Sequence, residues 1–204
     1  MFKINYKFLL ITSDLKLSSA QGVRYTALYS NKSAVVNDVN LVYSSSSDKL
    51  DGWETYTVRQ IKFPFLYNYL NRIMRRIIYP DAYIFRLEQY KRKLKGIFFR
   101  NTFENVIIGC TPFSLLLLGK WIKTNYPSSQ LIADMSDPFS FNMGNKGRPR
   151  RVRIARYIET KSFTYFDKII VLNETIQKRY QQLYPELAEK FQVVEQGVDE
   201  DFIN

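Results

Sequence analysis

The 204-residue chain is 46% hydrophobic and 24% charged, which excludes a disordered segment and gives a single domain enough apolar surface for a substantial core. It has no histidine and one cysteine, Cys110, so an internal disulfide, a zinc site of the usual ligands and Ser-His-Asp chemistry are excluded. The formal charge of +11 is concentrated in two segments, with a surplus of seven positive charges from Phe65 to Arg100 and of six from Lys146 to Lys161, as expected for a partner that is nucleic acid or an anionic membrane surface.

In chain order, Met1-Phe2-Lys3 leads directly into an apolar strand at 6–12 without the build of a signal peptide, so a cytoplasmic chain is expected. A polar loop, 13–21, turns at Gly22 into a helix reaching about residue 31. Val39–Ser44 reads as a second strand, 44–48 as an exposed linker, and the alternating run 55–61 as a third, edge-like strand. Two helices follow: Leu66, Leu70, Ile73 and Ile77 share one face, Ile84, Leu87, Tyr90, Leu94 and Phe98 another, and Pro80-Asp81 separates them. From Val106 a strand-helix rhythm sets in, with strands at 106–110, near Leu131, at Lys168 and at 191–194. Helices are expected at about 113–124, at about 149–165 and after Asn173. Such alternation implies right-handed crossovers and a doubly wound, mostly parallel sheet with helices on both faces. The longest uncharged apolar stretch, 107–119, falls well short of the roughly 20 residues needed to cross a bilayer.

The strand at Leu131-Ile132-Ala133 ends in Asp134, Asp137 and Pro138, where an open α/β sheet binds its ligands. The two acids are compatible with a general acid/base pair, and Asp137-Pro138 equally with a turn starter. In Thr111-Pro112-Phe113-Ser114 the proline suits an early helical position. Thr111 or Ser114 can cap N–H groups that also suit an anionic or hydroxyl-rich ligand. The first loop has only Gly22 where a dinucleotide turn needs several glycines, which argues against nicotinamide or flavin. Gly22 then allows tight helix entry and Arg24 is solvated, unless both face a ligand. Glu159 sits in a basic helix, where a salt bridge to Arg156 or a basic neighbour is the plain reading. Asn173 is placed to cap a helix, and Cys110, ending a buried strand, to be an inert core thiol.

In their order and spacing, the Gly22-x-Arg24 loop, Thr111 to Ser114, Asp134 to Phe139, Glu159 before Asp167-Lys168-Ile169-Ile170, and Gly197-Val198-Asp199 resemble the N-terminal half of a two-domain, GT-B-fold glycosyltransferase of the family-4 type. The resemblance is strongest from Tyr79 to Phe202 and weaker from Lys32 to Phe63. It implies that residues 1–204 form a Rossmann-like acceptor-side domain, with the donor-binding domain beyond the end of this chain. It also implies a nucleotide-sugar donor held mainly by that second domain, no cofactor or metal, retention of anomeric configuration, and no turnover by this half alone. Gly22, Arg24, Thr111, Ser114, Asp134, Asp137 and Glu159 would then contact a glycan or lipid-linked acceptor in cell-surface polysaccharide synthesis, and the basic helices would dock on the inner face of the plasma membrane. Related enzymes often carry a histidine where this chain has Leu115, Leu116 and Leu117, and commonly arginine in place of Ser136, which suggests a different acceptor. Glu195-Gln196 stands where the family usually has Pro-Asn. The alternative from another class is a non-enzymatic module for anionic membrane or nucleic acid. The chain lacks an RNA-binding signature or a helix-turn-helix cue, so no nucleic acid is expected. Another doubly wound, nucleotide-using enzyme also fits the fold.

Overall fold

The computed structural model describes residues 4–13, 15, 20–29, 39–44, 54–58 and 79–195. Within these residues seven strands form one sheet: β1 (Ile4–Thr12), β2 (Val39–Ser44), β3 (Glu54–Thr57), β4 (Asn101–Gly109), β5 (Gln130–Met135), β6 (Lys168–Val171) and β7 (Phe191–Val193). Their order is β3-β2-β1-β4-β5-β6-β7, and every pairing is parallel. The helices are α1 (Ala20–Tyr29), α2 (Leu87–Arg100), α3 (Leu118–Asn125), α4 (Pro149–Phe163) and α5 (Glu174–Leu183). The chain is thus an α/β protein with a doubly wound, Rossmann-like parallel sheet, as the strand-helix rhythm predicts.

Side-chain alternation along the central strands divides the core into two layers. Leu131, Ala133 and Met135 of β5 join Val106, Ile108, Ile169 and Val171 in the larger layer. That layer also takes in Tyr90, Leu94 and Phe98 of α2, Ile122 of α3, Ala155 and Phe163 of α4 and Tyr180 of α5. On the opposite face Ile132 lies with Leu10, Ile107 and Ile170 against Tyr25 of α1. The stripe predicted for this helix is buried at Leu87, Tyr90, Leu94 and Phe98, with Ile97 added, while Ile84 falls in the 3-10 turn before α2 and is half-buried. Cys110 is buried, its Sγ donates to the Ile108 carbonyl at 3.2 Å, and burial pushes its thiol well above the ordinary value.

Several boundaries differ from expectation. β4 begins at Asn101, because α2 runs straight into it and Phe103 is buried there. Residues Phe113–Leu117 form a 3-10 turn, and α helix begins only at Leu118. α1 begins at Ala20, so Gly22 is buried inside the helix rather than turning the chain into it. The linker after Ser44, the end of the third predicted strand, the predicted helix of Leu66 to Ile77 and the segment after Glu195 lie outside the described residues.

Candidate functional site

Because every strand runs the same way, all carboxyl ends lie along one edge, and the connections diverge between β1 and β4. That topological switch point is where an open α/β sheet offers its crevice. Ser13, just past β1, donates its Oγ to the Thr111 carbonyl at 3.0 Å and ties the two strand ends together. Gln21 and Tyr25 of α1 pack onto Gly109 at the end of β4. A Cβ there would run into the Tyr25 hydroxyl and come within 2.6 Å of the Gln21 Nε2, so only glycine admits this close approach.

Arg24 and Asp134 meet on the α1 face, the face that Ile132 shares by alternation. The Arg24 Nε donates to Asp134 Oδ2 at 3.1 Å and Nη2 to Oδ1 at 3.3 Å. The same guanidinium donates to the carbonyls of Val194 and Glu195 at 3.1 and 3.2 Å, closing the chain after β7 over the edge. Arg24 is 1% exposed, so the solvated reading of this residue is corrected: its donors are turned inward to Asp134 and the backbone after β7. Burial pushes the Asp134 carboxyl above its ordinary value, against the opposing pull of the guanidinium.

Ser114 is likewise turned inward. Asp81, which accepts from the Tyr83 amide at 3.0 Å to cap the turn before α2, also accepts from Ser114 N at 3.0 Å and Ser114 Oγ at 2.5 Å. A carboxylate of the chain itself therefore occupies the amide that the sequence offers to a ligand. Thr111 and Ser136, each two residues beyond the Gly109–Asp134 register pair, have buried hydroxyl oxygens with no hydrogen-bond partner among the described residues. Asp137 follows, exposed and without an ion pair to any described residue.

The loop that carries Asp137 is anchored on both sides. Phe139 is buried, stacked on Phe113 at 4.3 Å and on Tyr79 at 5.6 Å, and Asn145 Nδ2 donates to its carbonyl at 2.7 Å. Its amide donates to the Tyr180 hydroxyl at 2.9 Å. Glu159 accepts from Ser140 N at 2.9 Å, from the Tyr180 hydroxyl at 3.0 Å and from the Tyr184 hydroxyl at 2.6 Å. The expected pairing with Arg156 is corrected: Glu159 is fully buried and makes no salt bridge among the described residues, because its helix position faces α5 rather than the basic surface. Burial pushes its carboxyl above the ordinary value, against the three donors. Burial, and then the Glu159 charge, raise the Tyr180 and Tyr184 hydroxyls.

The seven predicted positions thus divide. Thr111 and Asp137 each lie just past a strand's carboxyl end, after β4 and β5, while Arg24, Ser114, Asp134 and Glu159 are engaged inside the fold and Gly22 is buried within α1. Asp81, Tyr180 and Tyr184 escaped the sequence reading. An Asp two residues before Tyr83 at a helix start was the available signal for Asp81, but nothing local marks the two tyrosines. Asn173 caps α5 as expected, accepting from Ile176 N at 2.9 Å. No group of three or more His, Cys, Asp or Glu is arranged as metal ligands among the described residues.

No family model and no curated protein matches the chain. Among solved structures it is similar to Anabaena Alr3699/HepE in complex with UDP and glucose, at 13% identity and a TM-score of 0.49, covering 95% of this chain and 45% of that one. It is also similar to the same Anabaena protein in complex with UDP-glucose, at 11% identity and a TM-score of 0.48, covering 95% and 44%. The chain spans less than half the length of these structures. They are likenesses of chain trace alone.

Proposed function

We propose that this chain is the acceptor-side half of a GT-B-type glycosyltransferase of the family-4 kind, which moves a sugar from a nucleotide-sugar donor to a glycan or lipid-linked glycan. The carrying observation is Asp137, exposed just past the carboxyl end of β5 and without an ion pair to any described residue. An exposed carboxylate at this edge suits a polyhydroxylated ligand: it accepts a hydrogen bond from a sugar hydroxyl and fixes the direction of its lone pair. A second domain would hold most of the donor, and closure over this edge would exclude water. Retention of configuration and a role in cell-surface polysaccharide synthesis belong to this reading, as does the inactivity of this half alone.

The same reading puts the enzyme on the inner face of the membrane. No helix of the described residues is long and apolar enough to cross a bilayer. Surface docking is supported by α2, where Arg92, Lys93, Lys95 and Arg100 are exposed and Phe99 is 67% exposed among them. Each cation near an anionic surface contributes about 1 kcal/mol.

Asp137→Ala in the two-domain enzyme tests the site. Transfer should fall about tenfold or more, as expected for loss of a charge-assisted hydrogen bond of about 1.5–3 kcal/mol, with donor KM unchanged. Wild-type transfer by the variant would overturn the assignment, and a loss of thermal stability matching the loss of transfer would make Asp137 a turn residue only.

A further inference from the structure

Beyond β5 the chain builds a second feature, separate from Asp137. A cavity of about 830 Å³ is lined by the segment Ser140 to Pro149, by Val152, Arg153 and Arg156 of α4, and by Arg179 of α5. Lys146, Arg148, Arg153, Arg156 and Arg179 give it five cations and no acid. The sequence has no acidic residue between Asp137 and Glu159, and Glu159 is committed to Ser140 and the two tyrosines. None of the five cations forms a salt bridge among the described residues.

This arrangement runs against ordinary helix electrostatics. The amino end of a helix favours anions, yet α4 has no acid in its first turn and no side-chain cap, and Arg150 and Arg151 fall in that turn. Its first intrahelical amide bond is Val152 N to the Arg148 carbonyl, at 3.2 Å. Ser140, which lines the cavity, is buried, and its amide donates to Glu159 at 2.9 Å. The cavity wall is built rather than loose. Gly147 holds φ +72°, Asn142 Oδ1 accepts from Gly144 N at 2.8 Å, and the Arg179 guanidinium is held over the Phe141 ring at 4.5 Å.

We propose that this cavity binds the diphosphate group of a ligand. All five cations are exposed and available, and a single phosphate, carrying about 1.5 to 2 negative charges, would engage fewer of them than a diphosphate. Guanidinium groups from two helices suit oxygens spread over two phosphorus centres. The cavity is open to solvent, with a volume in the range of small-ligand pockets. Met143, Phe141, Pro149 and Val152 supply an apolar lining for whatever the diphosphate carries. The site concerns binding and holds whether or not the chain takes part in sugar transfer.

The test is calorimetric titration of the full chain with inorganic pyrophosphate and, separately, orthophosphate. Two variants are compared: Arg153→Gln/Arg156→Gln/Arg179→Gln in the cavity, and Arg92→Gln/Lys95→Gln/Arg100→Gln, which removes the same charge from α2. Saturable pyrophosphate binding is expected, tighter than orthophosphate and weakened about tenfold or more in the cavity variant, equivalent to about 1.4 kcal/mol or more. The α2 variant, with the same circular dichroism, should bind nearly as the wild type does. Displacement of pyrophosphate by uridine diphosphate would indicate a soluble source. Displacement by phosphatidylcholine vesicles doped with a prenyl diphosphate, but not by plain ones, would indicate a lipid source. Absence of saturable binding, equal affinity for the two anions, equal weakening in both variants, or displacement by neither diphosphate would overturn the proposal.

Discussion

Removing the Glu159 carboxylate should loosen the loop that presents Asp137, and the structure sets the scale. Glu159→Ala strands three buried donors, Ser140 N, the Tyr180 hydroxyl and the Tyr184 hydroxyl, which now reach the carboxylate at 2.9, 3.0 and 2.6 Å. At the low end of the cost of an unsatisfied buried polar group, about 1 kcal/mol each, the loss is about 3 kcal/mol. For a domain of this size that corresponds to a fall in Tm of about 6–12 °C. Glu159→Gln keeps the volume and one carbonyl oxygen, and the Tyr184 hydroxyl can turn to accept from the new amide, so its cost at neutral pH should be about 1 kcal/mol or less. The two variants also separate by pH. Burial raises the Glu159 carboxyl in the fold, so its protonated form favours folding. That contribution is fully present below the unfolded value of about 4.3 and is lost as pH rises through the raised folded value. Stability of wild type relative to Glu159→Gln should therefore decline as pH climbs from about 4.3 to the raised folded value, and stay level above it. Urea unfolding of the three proteins across that pH series is the assay. An alanine variant within about 0.5 kcal/mol of wild type, or a wild-type-to-glutamine difference flat with pH, would refute the reasoning, since both exceed the usual scatter of surface changes.

Asp134→Asn should cost about 3–5 kcal/mol by leaving the buried Arg24 guanidinium without its counter-charge, and Arg24→Met/Asp134→Leu should recover much of that, as measured by urea midpoints. Recovery would show that the pair gives partner choice more than net stability. Gly109→Ala should cost about 1–3 kcal/mol, because the buried Tyr25 and Gln21 side chains must move off the new methyl group, and a neutral result in thermal melts would mean that they have room to yield.

Much of the architecture is legible locally. β2 occupies the predicted residues, α2 buries its predicted stripe, and Asn173 caps α5, because each depends on residues within a few positions of one another. The carboxyl edge is legible too, since an apolar run ending in acids marks the end of a buried parallel strand. Side-chain fate at that edge is not. Asp134 and Asp137 lie three residues apart in the same run. Strand parity places Asp134 beneath α1, paired to an arginine 110 residues away, while Asp137 lies past the end of β5 and is exposed.

The sequence by itself therefore determined the layered parallel sheet, the edge at which its strands end, and the two basic segments, since periodicity and charge are properties of neighbours along the chain. Tertiary structure alone decided which acids stay available. Asp81 reaches Ser114 across 33 residues, and Glu159 reaches Tyr184 across 25, so the carboxylates that look free on paper are consumed by donors that only the packed fold brings within hydrogen-bonding distance.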